Sequence, residues 1–176
     1  MVNKIVIAGF SGSGKSTLGK RIEDELELPV VHIDKRCLGP EKKMKPIDEV
    51  REILFEICSE DKWIIDGLYH KFAEEFLSRA DLVIFIDPGV VTNTVNVFKR
   101  KIKHILLPKS KTGHEAVRKI HFTNTRRIWT DRKGFRRRWL DIINRQKNQF
   151  IYFRISKVNK KTSRQIIKKI ASLNSK

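Results

Sequence analysis

The chain has 176 residues, 40% of them hydrophobic, enough for one ordinary core, and no glycine- or serine-rich linker interrupts it, so a single domain over 1–176 is expected. Its longest apolar runs, such as Leu82–Ile86, fall far short of the roughly 20 residues of a membrane span, and the first strand begins too early to leave room for a signal peptide. The net charge of +18 is lopsided: residues 1–88 carry 13 basic and 17 acidic side chains, residues 89–176 carry 25 and 3, so a polyanionic partner should meet the second half.

The first strand is expected at Lys4–Ala8, an apolar run that leads straight into Gly9-Phe10-Ser11-Gly12-Ser13-Gly14-Lys15-Ser16. Those eight residues match the phosphate-binding loop pattern in full. Glycines there let backbone N–H groups face an anion, and a helix opens at once behind them. Lys15 then reaches the β- and γ-phosphates of ATP or GTP, the Ser16 hydroxyl ligates Mg²⁺, and Thr17 carries the loop into the helix. That helix buries Leu18, Ile22 and Leu26 at a spacing of four and stops before Pro29.

Val30–Asp34 reads as a short second strand, and Leu38–Pro46, with Gly39, Pro40 and Pro46, as a loop. Ile47, Val50, Leu54, Ile57 and Cys58 form one helical stripe, followed by a third strand at Trp63–Asp66 and its turn at Gly67. A helical stretch near His70–Arg79 precedes Leu82–Ile86, whose unbroken apolar character fits a parallel strand covered on both faces. Helices are expected at Val91 to about Leu106 and near Phe135–Lys147, a strand at Phe150–Ile155, and a last helix at Ser163–Leu173 with Ile166, Ile167, Ile170 and Leu173 inward. Alternation of this kind implies an α/β, doubly wound parallel sheet. Cys37 and Cys58 have neither metal-ligand spacing nor the number for a disulfide framework, which suits a reducing cytoplasm.

Ligands of such sheets sit beyond the carboxyl ends of the strands, which selects Asp34, Asp66 and Asp87. Asp66 is the candidate for holding a water of the Mg²⁺ shell, with a turn aspartate before Gly67 as the alternative. Asp87 is its rival, although its place before Pro88 reads more simply as a strand-ending turn. Asp34 is a candidate for orienting or deprotonating an acceptor hydroxyl, or else for capping the next loop, while His32 reads as a packed strand histidine.

Taken together, the loop from Gly9 to Thr17, His32-Ile33-Asp34, Trp63-Ile64-Ile65-Asp66-Gly67-Leu68-Tyr69 and Ala80–Asp87 resemble the adenylate kinase-like proteins of the FlaR-related topology modulation group, over residues 1 to about 100. The resemblance implies the phosphate-loop fold of nucleoside monophosphate and shikimate kinases, five parallel strands in the order 2-3-1-4-5. It places an acceptor-binding insert at about 36–59 and a basic helical lid at about 107–135. In such lids arginines neutralise charge on the transferred phosphoryl group. Arg126 and Arg127 are the first candidates, with Arg118, Arg132 and Arg136 to Arg138 as competitors. The loop Ser156–Asn159 would line the base pocket, with Arg100 or Lys103 over its other face. Lys109–His114 departs from the arginine pattern expected of a lid.

Two functions follow as expectations. One is a phosphotransferase that moves the γ-phosphoryl of ATP to a small anionic acceptor such as a nucleotide. Its parts are Lys15, Asp34, Arg126 and Arg127, with Ser16 and Asp66 for the metal. The alternative is a nucleotide-dependent nucleic-acid-binding protein using residues 99–138, where basic clusters interleave with Phe122, Trp129, Phe135 and Trp139.

Overall fold

The computed structural model describes residues 1–39, 43–67, 70–106 and 129–175. Five parallel strands form one sheet in the order β2-β3-β1-β4-β5: β1 Lys4–Gly9, β2 Val30–His32, β3 Trp63–Asp66, β4 Leu82–Ile86 and β5 Ile151–Ile155. The helices are α1 Lys15–Leu26, a single turn α2 Ile33–Arg36, α3 Ile47–Ser59, α4 Ala73–Leu77 after a 3₁₀ turn at His70–Phe72, α5 Val90–Leu106, α6 Arg132–Gln146 and α7 Lys160–Asn174. Order and direction agree with the expectation from sequence.

Successive side chains of a strand point to opposite faces, so each apolar strand feeds two cores. Ile5, Ile7, Ile64, Leu82, Ile84 and Ile86 meet Leu18 and Ile22 of α1 and Ile166 and Ile170 of α7. Val6, Ala8, Ile65, Val83 and Phe85 meet Val50, Leu54 and Ile57 of α3, Phe76 of α4 and Trp139 and Ile143 of α6. Packing on both faces fixes the strand ends relative to one another.

Register decides which residues share the carboxyl rim. Ile7 pairs with Asp66 and His32 with Asp66, while Gly9 pairs with Ile86 and Ile86 with Ile155. The phosphate loop, Asp66, Asp87 and the loop after β5 are therefore neighbours at one edge.

Three boundaries differ from the reading of the sequence. β2 ends at His32, because Ile33 and Asp34 turn into α2 with Ile33 buried in the core. Asp34 thus sits on a helical turn rather than on a strand. α6 begins at Arg132, three residues before Phe135, and α7 begins at Lys160, where Asn159 caps it by accepting from the Thr162 N–H at 2.8 Å. Asparagine is among the preferred N-cap residues. Of the proposed lid, residues 107–128 lie outside the described residues, and with them Arg118, Arg126 and Arg127.

Candidate nucleotide site

The loop between β1 and α1 closes on itself. The Ser13 N–H donates to the Phe10 carbonyl at 3.1 Å, and Lys15 Nζ folds back to donate to that same oxygen at 3.3 Å. Gly12 and Gly14 hold φ of +78° and +99°, which side-chain-bearing residues rarely adopt. Neither has space for a Cβ: one on Gly12 would lie 2.5 Å from the Asn93 carbonyl oxygen, one on Gly14 3.0 Å from Val158. Asn96 Nδ2 donates to the Gly12 carbonyl at 2.8 Å. Helix α5 and the loop after β5 thus brace the turn from two sides.

Three features fit this loop to an anionic phosphate chain. Gly14 caps α1 without a side-chain hydrogen bond, so the helix start keeps its N–H groups for a ligand. Ser13 is buried, and its hydroxyl has no partner among the described residues. Lys15 is buried as well, and burial pushes its ammonium below the usual lysine range, against the opposing pull of the Asp66 and Asp34 carboxylates, while Arg100 pushes it further down. A bound polyphosphate would supply the negative charge that this lysine lacks.

The two residues expected to serve a metal ion lie together. Ser16 Oγ donates to Asp66 Oδ2 at 2.7 Å, and His32 Nδ1 lies 3.1 Å from that oxygen. Asp66 is buried. Among the described residues no group of three His, Cys, Asp or Glu forms a cage, so a cation here would rest on Ser16, Asp66, water and the nucleotide's own oxygens. Mg²⁺ prefers that few-ligand arrangement. His32, read from sequence as a packed, hydrogen-bonded core histidine, does make a hydrogen bond, to Asp66, although its side chain is 36% exposed.

Asp34 is exposed on α2 and lies close to both the loop and β3: it acts electrostatically on Lys15, and its Oδ1 would be 3.7 Å from a Cβ at Gly67. Asp87, the rival for the metal role, is engaged by arginines. It is bound by Arg132 Nη2 at 2.9 Å, Arg136 Nε at 2.8 Å and Arg154 Nη2 at 2.6 Å. Burial alone would raise its pKa, but these guanidiniums hold it below the usual carboxylate range. Arg132 also donates to the Pro88 carbonyl. Helix α6 reaches the loop itself through Phe135, whose ring meets Phe10 edge-on at 5.1 Å between centroids.

Of the base-pocket candidates, Asn159 is the α7 cap and Val158 the buttress under Gly14, which puts the Ser156–Asn159 loop beside the phosphate site. Arg100 is exposed on α5 within electrostatic reach of Lys15. The side chain of Lys103 lies outside the described residues. Asn93, Asn96 and Arg154 were missed from sequence. The only signal for the asparagines was their spacing of three on the helix after β4, which brings both to one face.

Sheet order and loop together define the fold of the phosphate-loop kinases. The chain is 34% identical over 135 residues to a shikimate kinase from Clostridium botulinum (strain Eklund 17B / Type B), covering 66% of this chain and 76% of that protein. It belongs to the shikimate kinase family of phosphate-loop kinases, which use ATP and Mg²⁺. It is also 30% identical over 140 residues to an S-adenosylmethionine-dependent nucleotide dehydratase from Lacinutrix mariniflava, covering 78% of this chain and 27% of that protein. Two shikimate kinase relatives, one of them bifunctional, are likewise spanned over only 51% and 27% of their length. Among solved structures, shikimate kinase from Acinetobacter baumannii in complex with shikimate superposes with a TM-score of 0.55 at 16% identity, covering 98% of this chain and 93% of that one. No family model matches the chain. Among the described residues no helix is long and apolar enough to cross a membrane.

Proposed function

We propose that the protein transfers the γ-phosphoryl group of ATP to a hydroxyl of a small anionic acceptor. The observation that carries this reading is the Ser16–Asp66 contact beside a buried Lys15, with Asp34 close enough to act on that lysine. Donor-side and acceptor-side groups then face one cleft. The acceptor oxygen attacks phosphorus, the bond to the β,γ-bridging oxygen breaks, ADP leaves, and Asp34 takes the acceptor's proton. Lys15 steadies charge on the β- and γ-phosphates, and Ser16 and Asp66 would hold Mg²⁺, which when bound would supply positive charge to the phosphate oxygens.

The acceptor enters over α2 and α3, within the insert at 36–59, where Arg36, Lys42, Lys43, Lys45 and Arg51 suit an anion, Lys42 lying outside the described residues and Lys45 and Arg51 being paired with Glu49 and Glu75. Arg126 and Arg127 remain the proposed lid clamp. The resemblance to adenylate kinase-like proteins of the FlaR-related group makes a nucleotide one acceptor class, and the shikimate kinase relatives make a hydroxylated carboxylate another. Buried thiols at Cys37 and Cys58 fit a cytoplasmic setting.

Turnover of labelled ATP against shikimate, gluconate, nucleoside monophosphates and nucleic-acid ends tests the reading. Saturable transfer to one small acceptor is expected, and transfer to none of them refutes it. The nucleic-acid alternative loses part of its proposed groove, since Arg132 and Arg136 are engaged by Asp87. A dissociation constant for mixed-sequence DNA or RNA weaker than about 10⁻⁴ M at physiological salt, below ordinary non-specific binding, removes it.

A further inference from the structure

Asp66 takes two contacts on one of its oxygens. Ser16 Oγ donates to Oδ2 at 2.7 Å, and His32 Nδ1 stands 3.1 Å from the same atom, while among the described residues nothing donates to Oδ1. An ionised carboxylate only accepts, so the hydrogen of the second contact sits on Nδ1. Both the imidazolium and one neutral tautomer carry a hydrogen there, and the contact does not depend on the charge of the ring. His32 is placed by backbone on both sides: it is the register partner of Asp66 across β2 and β3, and the next residue, Ile33, turns into the core. Its side chain is partly open, whereas that of Asp66 is only 5% exposed. The imidazole thus reaches from the rim of the sheet onto a buried carboxylate that already touches the phosphate loop.

We infer that His32 is a positioning residue for the metal ion: it pins Oδ2 of Asp66 and so leaves Oδ1 as the oxygen that serves the cation or its water. The inference rests on the kinase reading above, with Asp66 as its metal-side carboxylate, and adds the group that orients that carboxylate. The terminal torsion of an aspartate is broad, and one donor alone leaves the carboxylate free to swing. Ser16 is expected to give its own oxygen to the metal, so its grip on Asp66 changes when an ion binds. His32 has no second duty of that kind. It is the donor that holds Asp66 in the same attitude with and without the ion, and partners of this sort behind a metal-side carboxylate are worth about 10- to 100-fold in metal affinity.

The test uses the full-length chain with saturating ADP and Mn²⁺, whose free aquo ion is counted by its electron paramagnetic resonance signal. Calorimetry in EDTA measures metal-free ADP binding in parallel. His32→Ala should weaken Mn²⁺ binding to the protein–ADP complex by about tenfold or more, with ADP affinity in EDTA unchanged. The amide N–H of asparagine falls where Nδ1 stands, so His32→Asn should restore Mn²⁺ affinity to within about twofold of the wild type. Glutamine puts its amide at the place of Nε2 instead, and His32→Gln should bind Mn²⁺ as poorly as His32→Ala. In an Asp66→Asn background His32→Ala should add little, as expected of residues acting as one unit. The contrast between His32→Asn and His32→Gln stands by itself if His32→Ala does not fold. Wild-type Mn²⁺ affinity in His32→Ala or His32→Gln overturns the inference. So does an asparagine variant no better than the glutamine one, or a loss of ADP affinity in EDTA that matches the loss of Mn²⁺ binding. A wild type that binds ADP but no Mn²⁺ beyond that held by ADP alone also overturns it, and one that fails to bind ADP overturns the kinase reading beneath it.

Discussion

The Ser16 hydroxyl donates to Asp66 Oδ2 across 2.7 Å, tying the first turn of α1 to the end of β3 at the two side chains a metal ion would share. In Asp66→Asn the oxygen remains as a hydrogen-bond acceptor but its charge is gone. Calorimetric titration with ATP should then lose most of the tightening that Mg²⁺ confers. In EDTA the variant should bind ATP as well as the wild type or better, because a carboxylate no longer faces the polyphosphate. Full Mg²⁺ dependence in the variant would move the metal site elsewhere.

Lys15 is buried with its ammonium on a backbone carbonyl, and burial is the main force on its pKa. Lys15→Met should weaken ATP binding by about 30- to 100-fold, the worth of two to three kcal/mol in charge-assisted contacts. It should leave the melting temperature of the apoprotein unchanged or higher, since a desolvated charge has been removed. A large drop in melting temperature would mean that the lysine serves the fold rather than the ligand.

Gly12 combines φ of +78° with the Asn93 carbonyl where a Cβ would stand. Gly12→Ala should cost more than about 2 kcal/mol of stability, from strain and from displacing α5. Nucleotide affinity should fall with it. Denaturant unfolding with and without ATP separates the two effects.

For Asp34 the expected signature is a split. Asp34→Asn should lower transfer to the acceptor by about 10²- to 10⁴-fold, the usual contribution of a positioned base, while slow ATP hydrolysis persists. Transfer at the wild-type rate would remove Asp34 from the chemistry.

Asp87 sets a limit at low pH. Its folded-state pKa lies below the ordinary value of 3.8, so its ion pairs contribute fully above that value and are lost as pH falls through the lower, folded one. Melts taken downward from pH 5 should show the loss attributable to this carboxylate set in near 3.8 and continue below it, smaller than for a fully buried pair because Arg136 and Arg154 are partly solvated. Asp87→Asn should flatten that part of the profile.

Much of this architecture is legible from residues close together in sequence. The phosphate loop declares itself because backbone geometry, a lysine and a hydroxyl must occur within eight positions. The strands from Lys4, Trp63 and Leu82 are legible because both faces are buried and hydrophobicity runs unbroken. What escapes depends on distance. Val30 to Asp34 reads as one strand, yet Ile33 turns inward to fill the core beside Trp63 and Ile65, which no local pattern announces. Asp87 meets arginines 45, 49 and 67 positions away, so its chemistry is invisible until α6 and β5 are docked. Asn96 likewise reaches Gly12 across 84 positions.

Asp81 gives the opposite rim of the sheet a different character. Its carboxylate accepts from the N–H groups of Asn3 and Lys4 at 2.8 Å each, its own N–H donates to the Lys4 carbonyl, and its carbonyl accepts from Ile151. One residue, through its carboxylate and its backbone together, thereby joins three strands at their starts. At the carboxyl ends the Asp87 N–H donates to the Ile155 carbonyl, and side chains make further ties, Ser16 to Asp66 and three arginines to Asp87. A nucleotide bound at the phosphate loop would therefore meet the rim whose ties are mostly side chains, while the far rim is held by a carboxylate on backbone N–H groups.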